Sequence, residues 1–374
     1  MNKIVWITED SFVDCDIIPI RQVSKYYKVV WVIVFPEINS RYSESEIKRY
    51  HQDCPNVQVE FFNNRYGAKD IRKVKDFWNL GSMANALNGD IYYVNYSVGL
   101  PWYFLFWNKL PRYRKIITAH QGVVHAGMKN KWLANLSRDL IYRHALFVNM
   151  FSSSQAELFL KKYKNSKVDV INLALKNYGT PTINKSSSND NCVRFLSFGI
   201  VNYAKNVDLL IDAACNLYET GVKDFKVMIY GKCKDWSYYQ KHIRYPEIFE
   251  SNIGFVSNDD IPNLMYKAHY FVQPYRAVSQ SGAMKVAFQY NVPVIASNLP
   301  GLKDEIEEGV NGFSFISENV KDLERVMKER IECFHKEYDA LCASMKCFTE
   351  EHYSEKSIGQ KYIQMFNRVI NSLI

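Results

Sequence analysis

Residues 271–313 read FVQPYRAVSQSGAMKVAFQYNVPVIASNLPGLKDEIEEGVNGF and contain the most informative pattern in the chain. The opening apolar run predicts a strand, and the small polar residues 279–282 predict a turn. The residues that follow predict a helix at 283–290 and a buried strand at 293–296. A Ser/Gly turn that opens a helix presents free backbone N–H groups and the positive end of the helix dipole. The stretch therefore predicts a phosphate or nucleotide site in a parallel α/β sheet, although a plain helix N-cap has the same sequence.

Strands and helices alternate along the rest of the chain, which is the pattern of parallel α/β sheets. The strands predicted in the first half are 3–8, 28–35, 57–62, 90–96, 115–120, 146–152 and 168–173. Alternation restarts after the polar segment 185–191, with strands at 193–198, 226–231, 253–256 and 270–273. The 374 residues suffice for two domains. We expect two open sheets joined by a linker at 185–191, with ligands beyond the carboxyl ends of the strands.

Composition narrows the class of protein. Hydrophobic residues make up 47% of the chain and charged residues 23%, which is typical of a globular enzyme. No apolar run reaches the ~18 residues of a membrane span, and the start MNKIVWITED lacks the layout of a signal peptide. The eight cysteines show no CxxC spacing, so we expect reduced thiols and a cytoplasmic protein.

Positive charge is concentrated in the first half of the chain. Residues 1–200 contain 27 Lys and Arg against 16 Asp and Glu, and within 101–167 the count is 12 against 2. A basic soluble surface accounts for this excess, and so does contact with an anionic membrane or a lipid-linked phosphate. The cations match no nucleic-acid-binding motif, so nucleic acid is not predicted as a partner.

One segment of the first half combines aromatic residues with a run of cations. Trp102, Phe104 and Trp107 precede Arg112 and Arg114. Apolar side chains in the headgroup region with cations facing anionic lipid are typical of an interfacial segment. A core helix beneath a basic loop has the same composition. The first interpretation predicts peripheral contact with the inner face of the cell membrane.

A second phosphate-binding candidate follows the strand predicted at 193–198. Gly199 at the strand end lets a ligand approach the backbone, and Asn202 lies in the same loop. Lys205 can extend to phosphate oxygens as a point charge. A strand–helix loop with a solvated lysine is the alternative.

His120 ends a predicted strand of the first half, where it can face a ligand. It can donate to a sugar hydroxyl or transfer a proton near neutral pH, although a packed or surface histidine is the alternative. His125 follows five residues later with no third ligand nearby, so zinc is not predicted. Asp14 and Asp16 have the spacing of a metal-binding pair but fall in a predicted early loop, so metal-dependent transfer is not predicted either.

Together these motifs resemble the GT-B glycosyltransferases, and in particular the retaining enzymes of family 4. The resemblance is most specific between residues 193 and 313. It is carried by Gly199 with Lys205, Gly231-Lys232, Gly254-Phe255-Val256, Gln273-Pro274-Tyr275, Ser281-Gly282, 293–297, 301–304 and 309–312. The first half resembles the family only in its strand order and in Thr118-Ala119-His120.

The resemblance implies an α/β GT-B fold with two Rossmann-like parallel-sheet domains facing a cleft. Residues 1–184 would form the acceptor-side domain and residues 192–350 the nucleotide-sugar donor domain. A C-terminal helix at 351–374 would cross back to the first domain.

The resemblance also implies roles for individual residues. Lys205 would contact the donor diphosphate, and the backbone amides of Ser281, Gly282 and Ala283 would hold its phosphates. His120 would contact the transferred sugar, which makes His120 and Lys205 the candidate catalytic residues. The remaining candidates for the donor site are Gly199, Asn202, Lys232, Val256, Tyr275 and Asp304, with Val256 against the base.

Four residues depart from the family pattern, and one of them is Ile200, where the family has a basic residue just after the first glycine. The family usually has two glutamates eight residues apart, at the positions of Val278 and Val286 here. The glycine that follows the family's lysine is Asn206 in this chain. The chain resembles those members of the family that have a Ser-Gly turn in place of the first glutamate.

The implied activity is metal-independent, retaining sugar transfer without a cofactor. The donor would be a UDP- or GDP-sugar, and the acceptor a glycan or lipid-linked glycan in cell-surface polysaccharide assembly. Two alternatives stay open. A GT-B sugar-nucleotide epimerase or hydrolase would use the same donor site, and a non-catalytic partner subunit would fit the two valines at the glutamate positions.

Overall fold

Short runs of β-branched and aromatic residues form parallel strands in two separate sheets. The computed structural model describes residues 1–67, 70–122 and 131–372. The chain divides into a first unit of Met1–Ala174 with Ser354–Ile374 and a second unit of Leu175–Tyr353. Each unit has its own sheet and its own apolar core. The α/β class predicted from the alternation of elements is confirmed.

The first sheet has seven strands in the order β3-β2-β1-β4-β5-β6-β7, all paired in parallel. Their bounds are β1 (Lys3–Glu9), β2 (Lys28–Phe35), β3 (Val57–Asn63), β4 (Ile91–Asn95), β5 (Lys115–Thr118), β6 (Phe147–Met150) and β7 (Lys167–Val170). The register places Trp6 opposite Trp31 on one side and Tyr93 on the other. Buried central strands require continuous apolar runs, which explains why these strands were predictable.

Six helices connect these strands. They are α1 (Val13–Val23), α2 (Glu44–Tyr50), α3 (Lys73–Ala86), α4 (Tyr103–Lys109), α5 (Lys131–Tyr142) and α6 (Ser153–Lys162). The loop predicted around Asp14 and Asp16 is wrong, because both residues lie in the first turn of α1. Val13, Ile20 and Val23 bury one face of that helix, and Asp16 is buried with them.

The second sheet has six strands in the order β10-β9-β8-β11-β12-β13, also paired in parallel. Their bounds are β8 (Val193–Phe198), β9 (Phe225–Gly231), β10 (Phe249–Ile253), β11 (Tyr270–Gln273), β12 (Val294–Ser297) and β13 (Gly312–Phe315). The strand predicted at 253–256 was placed too late. β10 is an edge strand with three exposed polar residues at its centre, so it lacks the apolar run that marks the inner strands.

The helices of the second unit are α7 (Val207–Glu219), α8 (Trp236–Gln240), α9 (Ile261–Lys267), α10 (Gly282–Gln289), α11 (Pro300–Lys303), α12 (Val320–Glu332) and α13 (Phe334–Tyr353). The predicted linker at 185–191 lies inside this unit, because the units divide between residues 174 and 175. Side-chain and backbone groups of this segment form hydrogen bonds within the unit: Arg194 Nη2 donates to Ser186 Oγ at 2.8 Å, and the Ser188 backbone N–H donates to Asp339 Oδ1 at 3.2 Å.

The last helix, α14 (Glu355–Asn371), belongs to the first unit and packs against α1. A Cβ on Gly359 would lie 2.3 Å from Gln22 Cβ, so the two helices approach more closely than a larger residue would permit. Phe366 packs edge-on against Trp6, with ring centroids 5.8 Å apart. The chain therefore returns to the first unit, as the family resemblance implies.

Candidate functional site

Gly199, Asn202, Lys205, Tyr275 and Ser281, all predicted donor-site residues, lie on the loops that follow β8 and β11. These two strands are adjacent although they are not consecutive in the chain, so the strand order reverses between them. Crevices outside the carboxyl ends of strands at such a point are the usual ligand sites of open α/β sheets. The fold thus brings the Gly199–Lys205 loop next to the loop that contains Ser281.

Two glycines open the backbone at the carboxyl ends of β8 and β9. Gly199 has a φ of 123° and Gly231 a φ of 140°, conformations that L-residues with a side chain rarely adopt. A Cβ on Gly231 would lie only 1.8 Å from Gly199 O, so the two strand ends approach closely. A Cβ on Gly199 would meet nothing within 4 Å, so its backbone faces open space that a ligand can enter.

Lys205 is a half-buried cation at this edge of the sheet. The side chain of Asn202 accepts a hydrogen bond from Lys205 N at 3.2 Å and fixes a short 3₁₀ turn. Lys205 Nζ lies 3.6 Å from the centroid of the Tyr275 ring. Burial lowers the pKa of Lys205 to about 8, and no described carboxylate pairs with the amine to offset this effect.

Three side chains connect Lys205 to the start of α10. Tyr275, which lies under the Lys205 amine, accepts a hydrogen bond from Gln273 Nε2 at 3.1 Å. The same amide group donates to Ser281 Oγ at 2.7 Å, and Ser281 Oγ accepts from Met284 N at 3.3 Å. Ser281 is therefore the N-cap of α10, while the amides of Gly282 and Ala283 lie in the first turn. The cation and the helix N-terminus belong to one contiguous arrangement.

A second cation, Lys176, lies at the same helix start. Its Nζ lies 3.2 Å from where a Cβ on Gly282 would be, and its backbone N donates to Lys285 O at 3.5 Å. The sequence analysis missed this residue. It precedes α10 by about a hundred residues in a segment without a motif, so only the fold brings them together.

A cavity of about 830 Å³ opens beside the Gly199 loop. Its walls include Asn202, Tyr203, Lys232, Cys233, Tyr238 and Gly254. Lys232 Nζ lies 5.0 Å from the centroid of the Phe255 ring, which is 73% exposed, and Val256 is half-buried on the same loop. Lys232 and Val256, two of the predicted donor-site residues, therefore lie on neighbouring loops after β9 and β10.

The structure accounts for two of the departures from the family pattern. Asn206 has a φ of 52°, the left-handed conformation that suits glycine and that asparagine adopts more readily than most residues. Val286 is buried within α10 and contributes to the core.

The one fully buried acid near α10 is Glu305, which forms an ion pair with Lys285 of that helix, while the neighbouring Asp304 is exposed. Tyr353 Oη also donates to Glu305 at 3.2 Å. This carboxylate therefore holds α10 in place and is not directed to a ligand.

In the first unit, His120 belongs to a buried polar network. Its Nε2 lies 2.7 Å from Asn95 Oδ1, and Asn95 Nδ2 donates to both carboxylate oxygens of Asp16 at 3.0 Å. Phe12 stacks on the imidazole ring with centroids 3.9 Å apart. Burial lowers the pKa of His120 to about 3, so the ring is neutral at physiological pH. It can form hydrogen bonds with a sugar, but it does not provide a positive charge.

Burial also raises the pKa of Asp16 to about 7, although hydrogen bonds from Thr8 and Asn95 lower it. His125 lies outside the described residues. Among residues 1–67, 70–122 and 131–372, no group of three or more His, Cys, Asp and Glu side chains is arranged to hold a metal ion.

A cavity of about 530 Å³ lies in the first unit at the carboxyl ends of β1 and β4, where the strand order reverses. Glu9, Asp10, Lys73, Phe77, Tyr96 and Ser97 are among the residues that line it. Glu9 Oε2 accepts a hydrogen bond from Ser97 N at 2.8 Å, and burial raises the pKa of Glu9. Lys73 Nζ pairs with Asp76 at 3.4 Å. The sequence analysis did not predict this cavity.

The membrane contact predicted for Trp107 is wrong. Trp107 is 1% exposed in the core of the first unit, and its carbonyl accepts a hydrogen bond from Lys115 Nζ at 2.6 Å. Trp102 and Phe104 pack against the same core, because α4 uses its aromatic residues to cover the sheet. Arg112 and Arg114 are exposed, as predicted for a basic loop. No helix in the described part of the chain is long and apolar enough to cross a bilayer.

Comparison with known sequences identifies the second unit. Residues 180–341 match the family of glycosyl transferases group 1. This part of the chain is therefore similar to the group 1 glycosyl transferases. A glycogen synthase of Thermodesulfovibrio yellowstonii is 24% identical over 275 residues, which are 70% of this chain and 51% of that protein. The chain thus spans about half the length of this curated relative.

Solved glycosyltransferase structures share the fold of the whole chain. Sucrose-phosphate synthase from Thermosynechococcus elongatus superposes with a TM-score of 0.75 at 11% identity, covering 100% of both chains. The Anabaena protein HepE, solved in complex with UDP and glucose, superposes with a TM-score of 0.70 at 16% identity, covering 98% of this chain and 100% of that one. These similarities establish the GT-B fold, with its two Rossmann-like parallel-sheet domains.

Proposed function

We propose that this protein is a retaining glycosyltransferase that moves a sugar from a UDP- or GDP-sugar to a glycan or lipid-linked glycan, in polysaccharide assembly at the cytoplasmic face of the membrane. The observation that carries the proposal is the arrangement of Lys205 with the N-terminus of α10, connected through Tyr275, Gln273 and Ser281. HepE, which shares the fold, is solved with UDP and glucose. The group 1 match covers the same region of this chain.

The charges of this arrangement suit a diphosphate. A half-buried amine without a carboxylate partner gains a favourable interaction when an anion binds next to it. The free amides at the start of α10 add hydrogen-bond donors and the positive end of the helix dipole. Lys176 supplies a second positive charge beside Gly282. Two lysines and a helix N-terminus can stabilise the negative charge of a departing diphosphate, so we propose transfer without a metal ion.

The proposed reaction exchanges one C–O bond for another at the anomeric carbon. The bond from the sugar to the diphosphate breaks, and the leaving oxygen takes up negative charge beside Lys205. The acceptor hydroxyl oxygen attacks from the same face, and its proton passes to the departing phosphate oxygen. Glu305 is paired with Lys285 and is therefore not available as a nucleophile, which favours this route over a covalent sugar–enzyme intermediate.

We assign the acceptor to the first unit. The cavity at the ends of β1 and β4 has carboxylates and aromatic rings on its walls, which suits a sugar that offers hydroxyl donors and apolar ring faces. The pKa of Glu9 is raised, so this carboxylate is a good hydrogen-bond acceptor for a sugar hydroxyl. His120 is neutral and would contact the transferred sugar through hydrogen bonds.

A screen of nucleoside diphosphates and their sugars tests the proposal. The true donor should raise the melting temperature, because a ligand at about 100 times its dissociation constant adds about 2.7 kcal/mol to the free energy of unfolding. Incubation of that donor with glycan and lipid-linked acceptors should give a product that retains the anomeric configuration. The absence of stabilisation by every nucleotide would refute the donor site.

The same screen distinguishes the alternatives. Binding of a nucleotide sugar without transfer to any acceptor would favour a non-catalytic partner subunit, which Val278 and Val286 at the family's glutamate positions make a specific candidate. Epimerised or hydrolysed donor would instead favour a sugar-nucleotide epimerase or hydrolase.

A further inference from the structure

The outer face of α5 carries a row of apolar side chains that are exposed in the described part of the chain. Trp132 is 70% exposed, Leu136 44% and Leu140 41%. Residues four apart lie on one face of a helix, so the three side chains form a single row along α5. The opposite face, with Ala134 and Ile141, is buried against the core. The helix thus has apolar side chains on its outer face as well as on its inner face.

Cations accompany this row. Arg143 is exposed and follows directly after the last residue of α5, Tyr142. Asp139 lies near the row and forms ion pairs with Arg143 Nη2 at 3.4 Å and Lys162 Nζ at 2.7 Å. Tyr163 Oη donates to the same carboxylate at 2.6 Å. Two cations therefore surround one carboxylate, and the face has a net positive charge.

We propose that the outer face of α5 docks on an anionic lipid bilayer, with the helix axis in the plane of the membrane. A tryptophan and two leucines in a row suit the boundary between headgroups and acyl chains, while Arg143 and Lys162 suit anionic headgroups. The wider sequence supports this partner, because residues 101–167 contain 12 Lys and Arg against 2 Asp and Glu. A second copy of the chain would bring two such positive faces together, so charge disfavours it as the occupant.

This inference deepens the membrane location given in the proposed function, but it does not depend on the sugar-transfer site, because no described residue of α5 lines either cavity. The proposed contact through α5 also takes the place of the membrane contact predicted from the sequence for Trp107 and its neighbours. Trp107 of α4 faces the core, whereas Trp132, one helix later, is exposed. Docking through one short helix would be reversible, because its apolar row is small and part of the attraction is electrostatic.

Vesicle flotation with the full chain tests the proposal. Phosphatidylcholine vesicles that contain phosphatidylglycerol should carry the protein to the top of the gradient, whereas pure phosphatidylcholine vesicles should carry much less. Replacing Trp132, Leu136 and Leu140 together by Gln removes the apolar row but keeps good helix formers. We expect the partition coefficient of this triple variant to fall about 100-fold.

The matched control is Trp78→Gln. Trp78 is 53% exposed and lies on a different helix, α3. Lys109 Nζ lies 3.5 Å from the centroid of its ring. Its loss should leave partitioning within about twofold of the wild type, whereas Trp132→Gln alone should produce a measurable part of the triple variant's loss. If the triple variant does not fold, the paired single variants provide the same comparison. Nucleotide stabilisation should be unchanged in Trp132→Gln, which separates this proposal from the proposed function.

Several outcomes would overturn the assignment. Equal binding to neutral and anionic vesicles, or no binding to either, would refute docking on anionic lipid. An equal loss in Trp78→Gln would show that α5 is not the contact. A dimer that dissociates in the triple variant would identify a second copy as the occupant. Raising the salt from about 0.1 M to about 1 M shortens the Debye length from about 10 Å to about 3 Å, so binding that does not weaken would also contradict the charge argument.

Discussion

The two sheets present opposite charges at equivalent places. In the second unit, the loops at the reversal of strand order carry Lys205 without a described carboxylate partner, next to a helix N-terminus. In the first unit, the loops at the corresponding reversal carry Glu9 and Asp10, and Lys73, which also lines that cavity, is paired with Asp76. The same topology thus builds one edge suited to an anion and one suited to hydroxyl groups. The fold fixes where a ligand binds, and the loop residues decide which ligand it is.

Burial increases this contrast, because it shifts the pKa values of Lys205 and Glu9 away from their ordinary values. It lowers the pKa of Lys205 to about 8, which makes the amine respond strongly to an incoming anion. It raises the pKa of Glu9, which makes this carboxylate a better acceptor of a proton or hydrogen bond. Changes at one edge should therefore alter donor binding without altering acceptor binding, and the reverse should also hold.

The largest expected effect is that of Lys205→Ala. Removing the charge that faces the leaving diphosphate should lower kcat/KM for the donor by about 100- to 1,000-fold, as for other groups that stabilise developing charge. Steady-state transfer assays with the identified donor measure this loss. Lys223→Ala is the matched control. Lys223 Nζ also lies over a tyrosine ring, 3.1 Å from the centroid of Tyr218, but this lysine is away from the site. A turnover within a few-fold of the wild type would remove Lys205 from the site.

The acceptor edge should respond to Glu9→Gln. We expect KM for the acceptor to rise about 10-fold, because a hydrogen bond to a charged acceptor is replaced by one to a neutral amide. The affinity for the nucleotide should stay the same. Equal losses of donor and acceptor binding would contradict the separation of the two edges.

Donor affinity should depend on pH through Lys205. The protonated amine is the form that binds a diphosphate, and its pKa is about 8 in the free protein. Affinity should therefore be highest below this value and fall by up to about tenfold per pH unit above it. Binding titrations of a nucleoside diphosphate from about pH 7 to about pH 9, roughly one unit on either side of the Lys205 pKa, measure how steeply the affinity falls with pH. In Lys205→Arg, whose guanidinium stays charged, the decline should disappear.

The smallest expected effect is that of Ser281→Ala. Loss of the cap on α10 should lower the free energy of unfolding by about 1 kcal/mol and weaken diphosphate binding a few-fold, because the first turn of the helix becomes less well ordered. Ser43→Ala removes the cap of α2, whose side chain accepts from Glu46 N at 3.2 Å, and serves as the control. Urea denaturation should show a similar loss in both variants, but only Ser281→Ala should affect the nucleotide. Equal nucleotide binding in the two variants would count against α10 as the phosphate site.

The strands of the second sheet show how far the sequence is predictive. β8 and β11 were predicted to the residue, because inner parallel strands are continuous apolar runs bounded by polar residues. β10 was displaced and β13 was missed, since both are edge strands and neither has such a run. The hydrophobic pattern of a sequence reflects burial. A strand with a neighbour on just one side is less buried, so its sequence predicts it less clearly.

The candidate site was predictable only where its residues are neighbours in sequence. Lys205, Ser281 and Gly282 belong to local motifs of the strand–loop–helix type. Lys176 was not predictable, because it meets Gly282 only after folding. The membrane segment failed for a related reason: composition indicated aromatic residues near cations, but only the structure shows that Trp107 faces the core.

The central claim is that the Lys205–α10 edge binds a diphosphate, and calorimetric titration tests it most directly. UDP and GDP should be compared with uridine and guanosine, which offer the same bases without phosphates. We predict that one diphosphate binds at least ~100-fold more tightly than its nucleoside, because most of the affinity comes from charge-assisted contacts. Lys205→Ala should remove most of this difference. Equal affinities of diphosphate and nucleoside, or a difference that survives in Lys205→Ala, would contradict the account.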